Sequence, residues 1–443
     1  MRKTFLLFYL LPFTFSLLPS LHAQTYRQVI EKVDNALVLE RAKELEMAAG
    51  MQAEAAKGKN LPSLDAHLSA AYLKDTPTMI LHFPAVPGPT SAIPMGTKEK
   101  WEGDVTLSYP LFTGFAVTAS IDKATFEHQL ASLKRLDLRR NLYLRTTRLY
   151  TAIYAADRVL DATHKALKAI EDAYRKAKGL YDNGLLPPAD LYNIEAKKYA
   201  IEAEITEAQT EKERYMNRLS YLLNQPVDRI EPPFVSQKEL SKERIIQTAL
   251  RSREDIRALQ TSLKIDESIE KLAKSRYYPT VGLAASLKKQ GDTIELNGDG
   301  YTNADRSYVG AAASWNLFSG FSDEKSVEAA RHRILAAKIE LNDYKNRVKT
   351  DIENAFLVLT AIQSKLMSAK MEENARSEYY KLTEGRFENQ LASADELSRA
   401  IADLAAARSK VSVLESEIFN QKAAIWLMGG IESFRGEFLA IEK

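Results

Sequence analysis

The sequence contains no cysteine, which excludes disulfide bonds, thiolate metal sites and a lipid anchor on an N-terminal cysteine. Its 61 basic residues nearly balance its 59 acidic ones, so no basic surface argues for nucleic-acid binding. The 6 histidines lack the spacing of a metal site. Glycine-rich phosphate loops, nucleophile motifs and metal motifs are also missing, so the sequence predicts neither an enzyme nor a cofactor site.

Long hydrophobic runs are missing beyond residue 24, so the sequence predicts no transmembrane helix in the mature protein. The first residues differ. Arg2 and Lys3 precede an apolar stretch from 5 to 18, and Leu21-His22-Ala23 resembles a cleavage site. This pattern predicts a secretory signal peptide at 1–23 and hence an exported protein.

A long internal repeat dominates the rest of the chain. The segment YPLFTGF at 109–115 returns as WNLFSGF at 315–321, and 181–191 returns at 387–397. Both pairs lie 206 positions apart, so the distance between the two anchors is conserved between the copies. The repeat predicts two structural units, at 24–224 and 241–428. A proline-rich stretch at 225–240 is the predicted linker between them, and 429–443 is the predicted C-terminal tail.

The repeat is predicted to be largely helical. Between about 116 and 183 there is no proline, and the only glycine is Gly179. Apolar residues recur there every seven positions, as they do at 194–222 and 397–425, which is typical of coiled-coil-like helices. The first of these helices would extend roughly 100 Å at 1.5 Å per residue. Shorter helices are predicted at 25–60 and 241–277.

Four short segments instead alternate apolar and polar residues, which predicts four strands in two hairpins. Loops are predicted between the strands of each hairpin, at 74–100 and 288–305. The apolar set, predicted to face lipid, consists of Leu64, Leu68, Tyr72, Val105, Leu107, Tyr109, Val281, Leu283, Leu287, Val309 and Trp315.

Two interpretations of these hairpins are open: half-buried hairpins on a soluble core, or part of a transmembrane β-barrel. The predicted signal peptide, the aromatic residues near the strand ends and the long loops favour the barrel. Four strands cannot close a barrel, because about eight is the practical minimum. The chain would therefore share its barrel with copies of itself, and three copies would supply twelve strands.

The order of these features resembles the TolC family. The resemblance rests first on the duplicated unit of a strand, Leu-Phe-x-Gly and a long helix. It rests also on Gly184-Leu185 followed by Ala189-Asp190-Leu191, and on the helix end Leu222-Leu223-Asn224. The segment 253–256, Arg-Glu-Asp-Ile, is similar to that family's Arg-Pro-Asp-Leu segment, with Glu254 in place of the proline. The resemblance covers essentially the whole mature chain.

The resemblance implies a mainly α, homotrimeric exit duct in the outer membrane of a Gram-negative bacterium. It would combine a twelve-stranded β-barrel in the membrane with a long α-helical barrel of twelve helices across the periplasm. The duct would dock a periplasmic adaptor and an inner-membrane transporter of the RND, ABC or MFS class.

The same resemblance implies that the helix tips close the pore and that acidic residues there favour cations. The candidate aperture residues are Asp190 and Asn193 in the first repeat, and Glu396 and Arg399 in the second. Arg399 occupies a position where the family often has a second carboxylate. The tip turns expected to dock the adaptor are Gly184, Leu185 and Leu186, with Gln390, Leu391 and Ala392.

The residues themselves support a second interpretation of the tips. Ser393 and Glu396 have the spacing of a capping box, in which each side chain binds the other residue's backbone N–H. Asp190 follows Pro187-Pro188 in the first turn of a helix, where a carboxylate stabilises the helix dipole. Helix capping and gating are both open for these residues.

Two other functions compete with the exit duct. A secreted coiled-coil scaffold or adhesin would explain the helices but not the duplicated hairpins. An exported enzyme would need a catalytic cluster, which the sequence lacks. Whether the cargo is a drug, a metal ion or a polypeptide does not follow from the sequence.

Overall fold

The computed structural model describes residues 23–81, 91–233, 240–297 and 305–441. The predicted signal peptide lies almost wholly outside these residues. The helices are α1 (Tyr26–Glu31), α2 (Leu37–Gly58), α3 (Ala116–Asp182), α4 (Pro188–Leu223), α5 (Lys242–Ser252), α6 (Glu254–Lys274), α7 (Ser322–Glu388), α8 (Ala394–Met428) and the short α9 (Ile431–Ser433). The strands are β1 (Ser63–Tyr72), β2 (Thr78–Leu81), β3 (Ser91–Pro94), β4 (Glu99–Thr113), β5 (Thr280–Gly291) and β6 (Tyr308–Ser314).

The two long helices confirm the spacing of the repeat, since α3 and α7 each contain 67 residues. They begin and end at positions that lie 206 residues apart. No proline interrupts either helix. Ile170 and Ala177 of the α3 seam are buried against residues of α4 and α8. Among the helices of the described chain, none combines the length and hydrophobicity that a membrane span requires.

The chain forms two compact units. One, here called the helical unit, comprises residues up to 40, 138–251 and from 349 on. The other, the sheet unit, comprises 41–137 and 252–348.

The helical unit has an aromatic core that gathers distant parts of the chain. Tyr26 of α1 meets Tyr150 of α3 and Phe419 of α8 edge to face, with ring centroids 5.2 and 5.0 Å apart. Phe434 and Phe438, beyond α8, are fully buried in the same core. Residues 429–441 of the predicted tail are therefore part of the packed structure.

The linker also packs in the helical unit. Gln24 donates a backbone hydrogen bond to the Arg229 carbonyl at 2.9 Å, and the Tyr150 hydroxyl donates to the Glu231 carbonyl at 2.7 Å. Val227 is buried. Residues 234–239 lie outside the described chain.

The sheet unit contains a four-stranded antiparallel sheet in the order β1-β4-β5-β6. The first predicted hairpin is β1–β4, the second is β5–β6, and β4 pairs with β5 to join them. A bulge at Leu111 shifts the β4–β5 register, so that Phe112 rather than Leu111 pairs with Val281.

Four local predictions were wrong. The helix predicted at 241–277 is broken at Arg253, whose extended backbone separates α5 from α6. The loop predicted at 288–305 starts inside β5, which extends to Gly291. The segment predicted as a loop at 74–100 contains the β2–β3 ribbon, and β4 begins at Glu99. The prolines suggested a loop, but Met79, Ile80 and Ile93 sustain a short ladder between them.

The helix predicted at 25–60 is broken into α1, a 3₁₀ turn over Lys32–Asn35, and α2. Ala36 is extended there, and Asp34 and Asn35 just before it are poor helix formers.

Candidate functional site: the helix tips and the apolar sheet face

The two tip turns have the same backbone geometry. Gly184 and Gln390 both take the left-handed conformation, with φ of 72° and 60°. At each turn the next residue, Leu185 or Leu391, donates to the carbonyl five residues earlier, at 2.9 and 2.8 Å. This is the Schellman arrangement that ends a helix. The two repeats thus form the same backbone hydrogen bond at equivalent positions of their tip turns.

A shared core lies beneath the two turns. Ile170 and Ala177 of α3, Ile194 of α4 and Leu397 of α8 are buried there together with Phe387 of α7. Leu186 and Ala392 of the predicted docking turns pack against this core. Leu185 and Leu391 remain 59% and 68% exposed. Each turn therefore has one residue that anchors it and one exposed leucine available to a partner.

Asp395 brings together two of the four predicted aperture residues. Its carboxylate pairs with Arg399 at 2.5 Å and accepts a hydrogen bond from the Asn193 amide at 3.4 Å. Because Asn193 lies on α4 and Asp395 on α8, this contact ties the two repeats together near their tips. Arg399 is 73% exposed at its side chain, while that of Asp395 is 36% exposed.

Glu396 has a different partner from the predicted one. Ser393 caps α8 by accepting a hydrogen bond from the Glu396 N–H at 3.1 Å, as expected. The Glu396 carboxylate, however, pairs with Arg386 at 3.3 Å and does not close the capping box. Arg386 also donates to the Leu391 carbonyl at 2.9 Å, so its guanidinium spans the second tip turn.

Asp190 occupies the first turn of α4, behind the Pro187 cap. This is the position that the dipole argument predicted. The structure does not bring Asp190 into the Asp395 cluster.

Two other titratable groups near the tips, Lys176 and Tyr380, have raised pKa values. Lys176 of α3 forms an ion pair with Glu388 of α7, and this hydrogen bond raises the pKa of Lys176. Burial, aided by the hydrogen bond that it donates to Glu384, raises the pKa of Tyr380 to about 12. These groups keep their ordinary charge states at neutral pH.

The residues predicted to face lipid share one face of the sheet. Leu64 pairs with Leu107, Val105 with Leu287, and Tyr109 with Leu283, and paired residues point to the same side. The other members of the set follow by the same register, except that Trp315 lies one residue past β6. Nearly all are exposed, from Tyr109 at 37% to Val309 at 87%. The sheet thus presents a continuous apolar face.

The opposite face of the sheet is polar and hydrogen-bonded. The Thr106 hydroxyl lies 2.8 Å from that of Ser286 and 3.1 Å from the Asp104 carboxylate. Lys288 pairs with Glu102 at 3.5 Å. One face is therefore suited to hydrocarbon and the other to water.

Comparison with known proteins agrees with this architecture. A family model described as outer membrane efflux protein matches residues 33–225 and 245–429, most of the chain. The chain belongs to the outer membrane efflux protein family. No curated protein sequence gives a significant match.

Solved structures of outer-membrane channels have the same fold as this efflux family member. The outer membrane protein VceC of Vibrio cholerae superposes with a TM-score of 0.73 at 18% identity, over 92% of this chain and 95% of its own. The outer-membrane channel OprN superposes with a TM-score of 0.75 at 19% identity, over 91% of this chain and 89% of its own. CusC, described as forming a transmembrane channel, superposes with a TM-score of 0.76 at 12% identity, over 91% of this chain and 92% of its own.

These matches confirm the resemblance to the TolC family and the predicted fold class. The chain is mainly α with a β-barrel portion, and its two internal repeats contribute four strands to the main sheet. It is thus an outer-membrane efflux channel by family.

Sequence reasoning missed Asp395 and Arg386 as participants at the tips. The Asp395–Arg399 spacing of four residues on one helix was a signal for their ion pair. Arg386 had no such signal, because it reaches Glu396 only across the folded turn. Within the described residues, no three metal-ligating side chains cluster as a candidate metal site.

Proposed function

We propose that three copies of the chain form an exit duct through the outer membrane, for a tripartite efflux pump or a type I secretion system. The observation that carries this proposal is the two-faced sheet, apolar and exposed on one side and polar on the other. Four strands with two free edges, β1 and β6, cannot close a barrel. Twelve strands from three copies can, with the apolar face toward lipid and the polar face toward a water-filled lumen.

In this assembly α3, α7 and the helices packed beside them contribute four helices per copy, so three copies form a twelve-helix barrel that continues the duct across the periplasm of a Gram-negative cell. The duct conducts substrates passively and performs no catalysis. Export follows from the predicted signal peptide. Because the chain has no cysteine, no lipid anchor on that residue contributes to its attachment.

The tips form the periplasmic aperture, and their turns bind the adaptor. Leu185 and Leu391 are the exposed apolar contacts for that partner, held by the Schellman turns behind them. An RND, ABC or MFS transporter in the inner membrane supplies the cargo. The chain itself binds outer-membrane lipid and no nucleic acid.

The Asp395 cluster gives the aperture its charge and its strength. In a trimer, Asp190, Asp395 and Glu396 would each occur three times around the axis, and rings of carboxylates attract cations. Arg399 and Arg386 offset part of that charge. The link from Asn193 to Asp395 resists separation of the α4 and α8 tips.

The test is the state of the protein extracted from outer membranes in mild detergent. We expect a native mass of three chains and an oligomer that migrates as such on a denaturing gel until it is heated. A coiled-coil scaffold or adhesin would extract without heat-modifiable migration, and that result would overturn the proposal.

A further inference from the structure

Each repeat passes from strand to long helix through the same bend, here called the elbow. In the first elbow Gly114 and Phe115 have φ of 61° and 69°, and in the second Gly320 and Phe321 have φ of 63° and 64°. The two elbows therefore offer the same backbone surface.

The first elbow is filled by the second repeat. A Cβ built on Gly114 would lie 2.5 Å from the Ser275 carbonyl oxygen and 3.0 Å from the Tyr278 Cβ. The Tyr278 ring meets Phe115 edge to face, with centroids 5.4 Å apart. Gly114 is buried as a result. A glycine is needed here both for its φ and for the close approach of Ser275.

The second elbow is open in the single chain. Among the described residues, nothing lies within 4 Å of a Cβ built on Gly320. Phe318 and Phe321 contact each other, yet remain 71% and 64% exposed. At the first elbow Phe112 is half-buried and Phe115 is 54% exposed, and Gly114 is buried whereas Gly320 is exposed. The glycine surface that is covered at the first elbow is thus uncovered at the second.

The pairing of the hairpins identifies the segment that matches this opening. Ser63 pairs with Ser108, and Thr280 pairs with Ser314 at the equivalent step of the second hairpin. Ser63 and Thr280 are therefore equivalent, and they lie 217 positions apart. The same separation relates α2 and β1 of the first repeat to α6 and β5 of the second. By this relation Ser275 and Tyr278 correspond to Gly58 and Leu61, and Leu61 is 65% exposed.

The free edges of the sheet fit the same relation. Suppose that β6 of one copy pairs with β1 of the next copy as β4 pairs with β5 within the chain. Leu107 is paired with Ala285 within the chain, and their equivalents in β6 and β1 are Ala313 and Leu68, which would then pair between copies. Tyr109 is paired with Leu283 in the same way, and their equivalents, Trp315 and Ala66, would also pair between copies. Both new pairs are apolar, so the barrel exterior stays apolar across the junction.

The helices beside the sheet agree as well. In the chain, α6 lies between the two long helices: Lys271 pairs with Asp122 of α3 at 3.3 Å, and Glu270 pairs with Arg331 of α7 at 3.2 Å. Its equivalent, α2, contacts α3 through the Glu46–Arg135 pair. Met47 and Met51 of α2 are 51% and 67% exposed and can meet α7 of a neighbour.

We propose that the Gly320–Phe321 elbow of one copy receives the α2–β1 junction of a second copy, Gly58 to Leu61. Leu61 then takes the place against Phe321 that Tyr278 takes against Phe115 within the chain. The contact joins unlike surfaces, so each copy offers one of each, and in the proposed trimeric duct three such contacts close a ring. This inference rests on the proposed trimeric duct and specifies which residues hold it together.

Cysteine cross-linking tests the contact, since the natural chain has no cysteine. The test variant is Leu61→Cys with Phe321→Cys, treated in outer membranes with a short bifunctional thiol reagent. Phe115→Cys with Tyr278→Cys is the matched control, because that pair is in contact within the chain. Within one chain, residues 61 and 321 adjoin opposite edges of the sheet, roughly 14 Å apart at about 4.8 Å per strand, so a short link between them must join two copies.

We expect the test variant to give covalent dimers and trimers, and nothing larger, on a denaturing gel after heating. The control pair should react and stay monomeric, and neither Leu61→Cys nor Phe321→Cys alone should cross-link. A native trimer whose test pair fails to link, while the control pair reacts, would overturn this contact and leave the duct standing. A chain that extracts as a monomer and does not link would overturn both.

A second measurement uses the glycines. Gly320→Ala should lower the temperature at which the trimer dissociates more than Gly184→Ala does, because both have positive φ but only Gly320 would meet a neighbour. Equal effects would contradict the contact.

Discussion

At the scale of single residues, the tips depend on charges that offset one another. Asp395 has Arg399 and Asn193 as partners, and Glu396 has Arg386. Exposed ion pairs of this kind contribute only about 0.2–1 kcal/mol each to stability. Their larger effect in the proposed aperture is on the charge that a passing ion meets.

Removing either arginine should therefore raise cation preference. In Arg399→Ala the Asp395 carboxylate loses its counter-charge, and in Arg386→Ala the Glu396 carboxylate does. The measurement is the reversal potential of single channels in a salt gradient. Arg27→Ala, which removes an exposed pair with Glu31 on α1, is the control and should leave the potential unchanged. If all three variants behave alike, these arginines do not face the conducting path.

A pH dependence follows from Glu46. Burial opposes its ionisation, but hydrogen bonds from Arg135 and Ser132 outweigh burial and hold its pKa below the ordinary value. A lowered pKa adds stability that is present above the ordinary value and is lost as the pH falls through the lowered one. Glu46→Gln should thus unfold about 1 kcal/mol more easily at neutral pH and match the natural protein in strong acid. A difference that persists in acid would contradict this, with thermal unfolding as the measurement.

At the scale of elements, the sheet has one apolar face, suited to lipid, and one polar face, suited to water. Its register places apolar residues from all four strands on one side, while Thr106, Ser286 and Glu102 lie on the other. A charge placed mid-strand on the apolar face should therefore be far more costly than one on the polar face.

Leu68→Arg and Ser69→Arg form the matched pair, since both residues are exposed neighbours on β1. Leu68→Arg should impair assembly in the membrane, because an arginine facing mid-bilayer lipid costs about 2–4 kcal/mol. Ser69→Arg should assemble normally. The measurement is the amount of heat-modifiable oligomer in outer membranes. Equal yields from the two variants would mean that Leu68 does not face lipid.

Much of this architecture could be predicted from the sequence, because regular spacing is visible there. The period of two revealed the strands, and the period of seven with the constant offset revealed α3, α7 and their tips. The bulge at Leu111, the break at Ala36 and the β2–β3 ribbon depend on local hydrogen bonding that no period records. The partners of Glu396 and Asn193 come from other helices, so only the folded chain identifies them.

At the scale of the whole molecule, the proposed orientation puts the β1–β4 connection outside the cell and the tip turns in the periplasm. Asp75 and Asp182 are exposed residues at these two places. On intact cells, an impermeant thiol reagent should label Asp75→Cys but not Asp182→Cys. After the outer membrane is permeabilised, both should react. Labelling of Asp182→Cys on intact cells, or of Asp75→Cys only after permeabilisation, would reverse the orientation.

The central claim is that three copies form a conducting duct, and planar-bilayer recording of the purified oligomer tests it most directly. We expect discrete conductance steps of uniform size from the native protein and none after heat dissociation. Asp395→Asn, which weakens the ties to Arg399 and Asn193, should enlarge the steps by loosening the aperture. A folded trimer that inserts into the bilayer yet conducts nothing, with Asp395→Asn equally silent, would contradict the account.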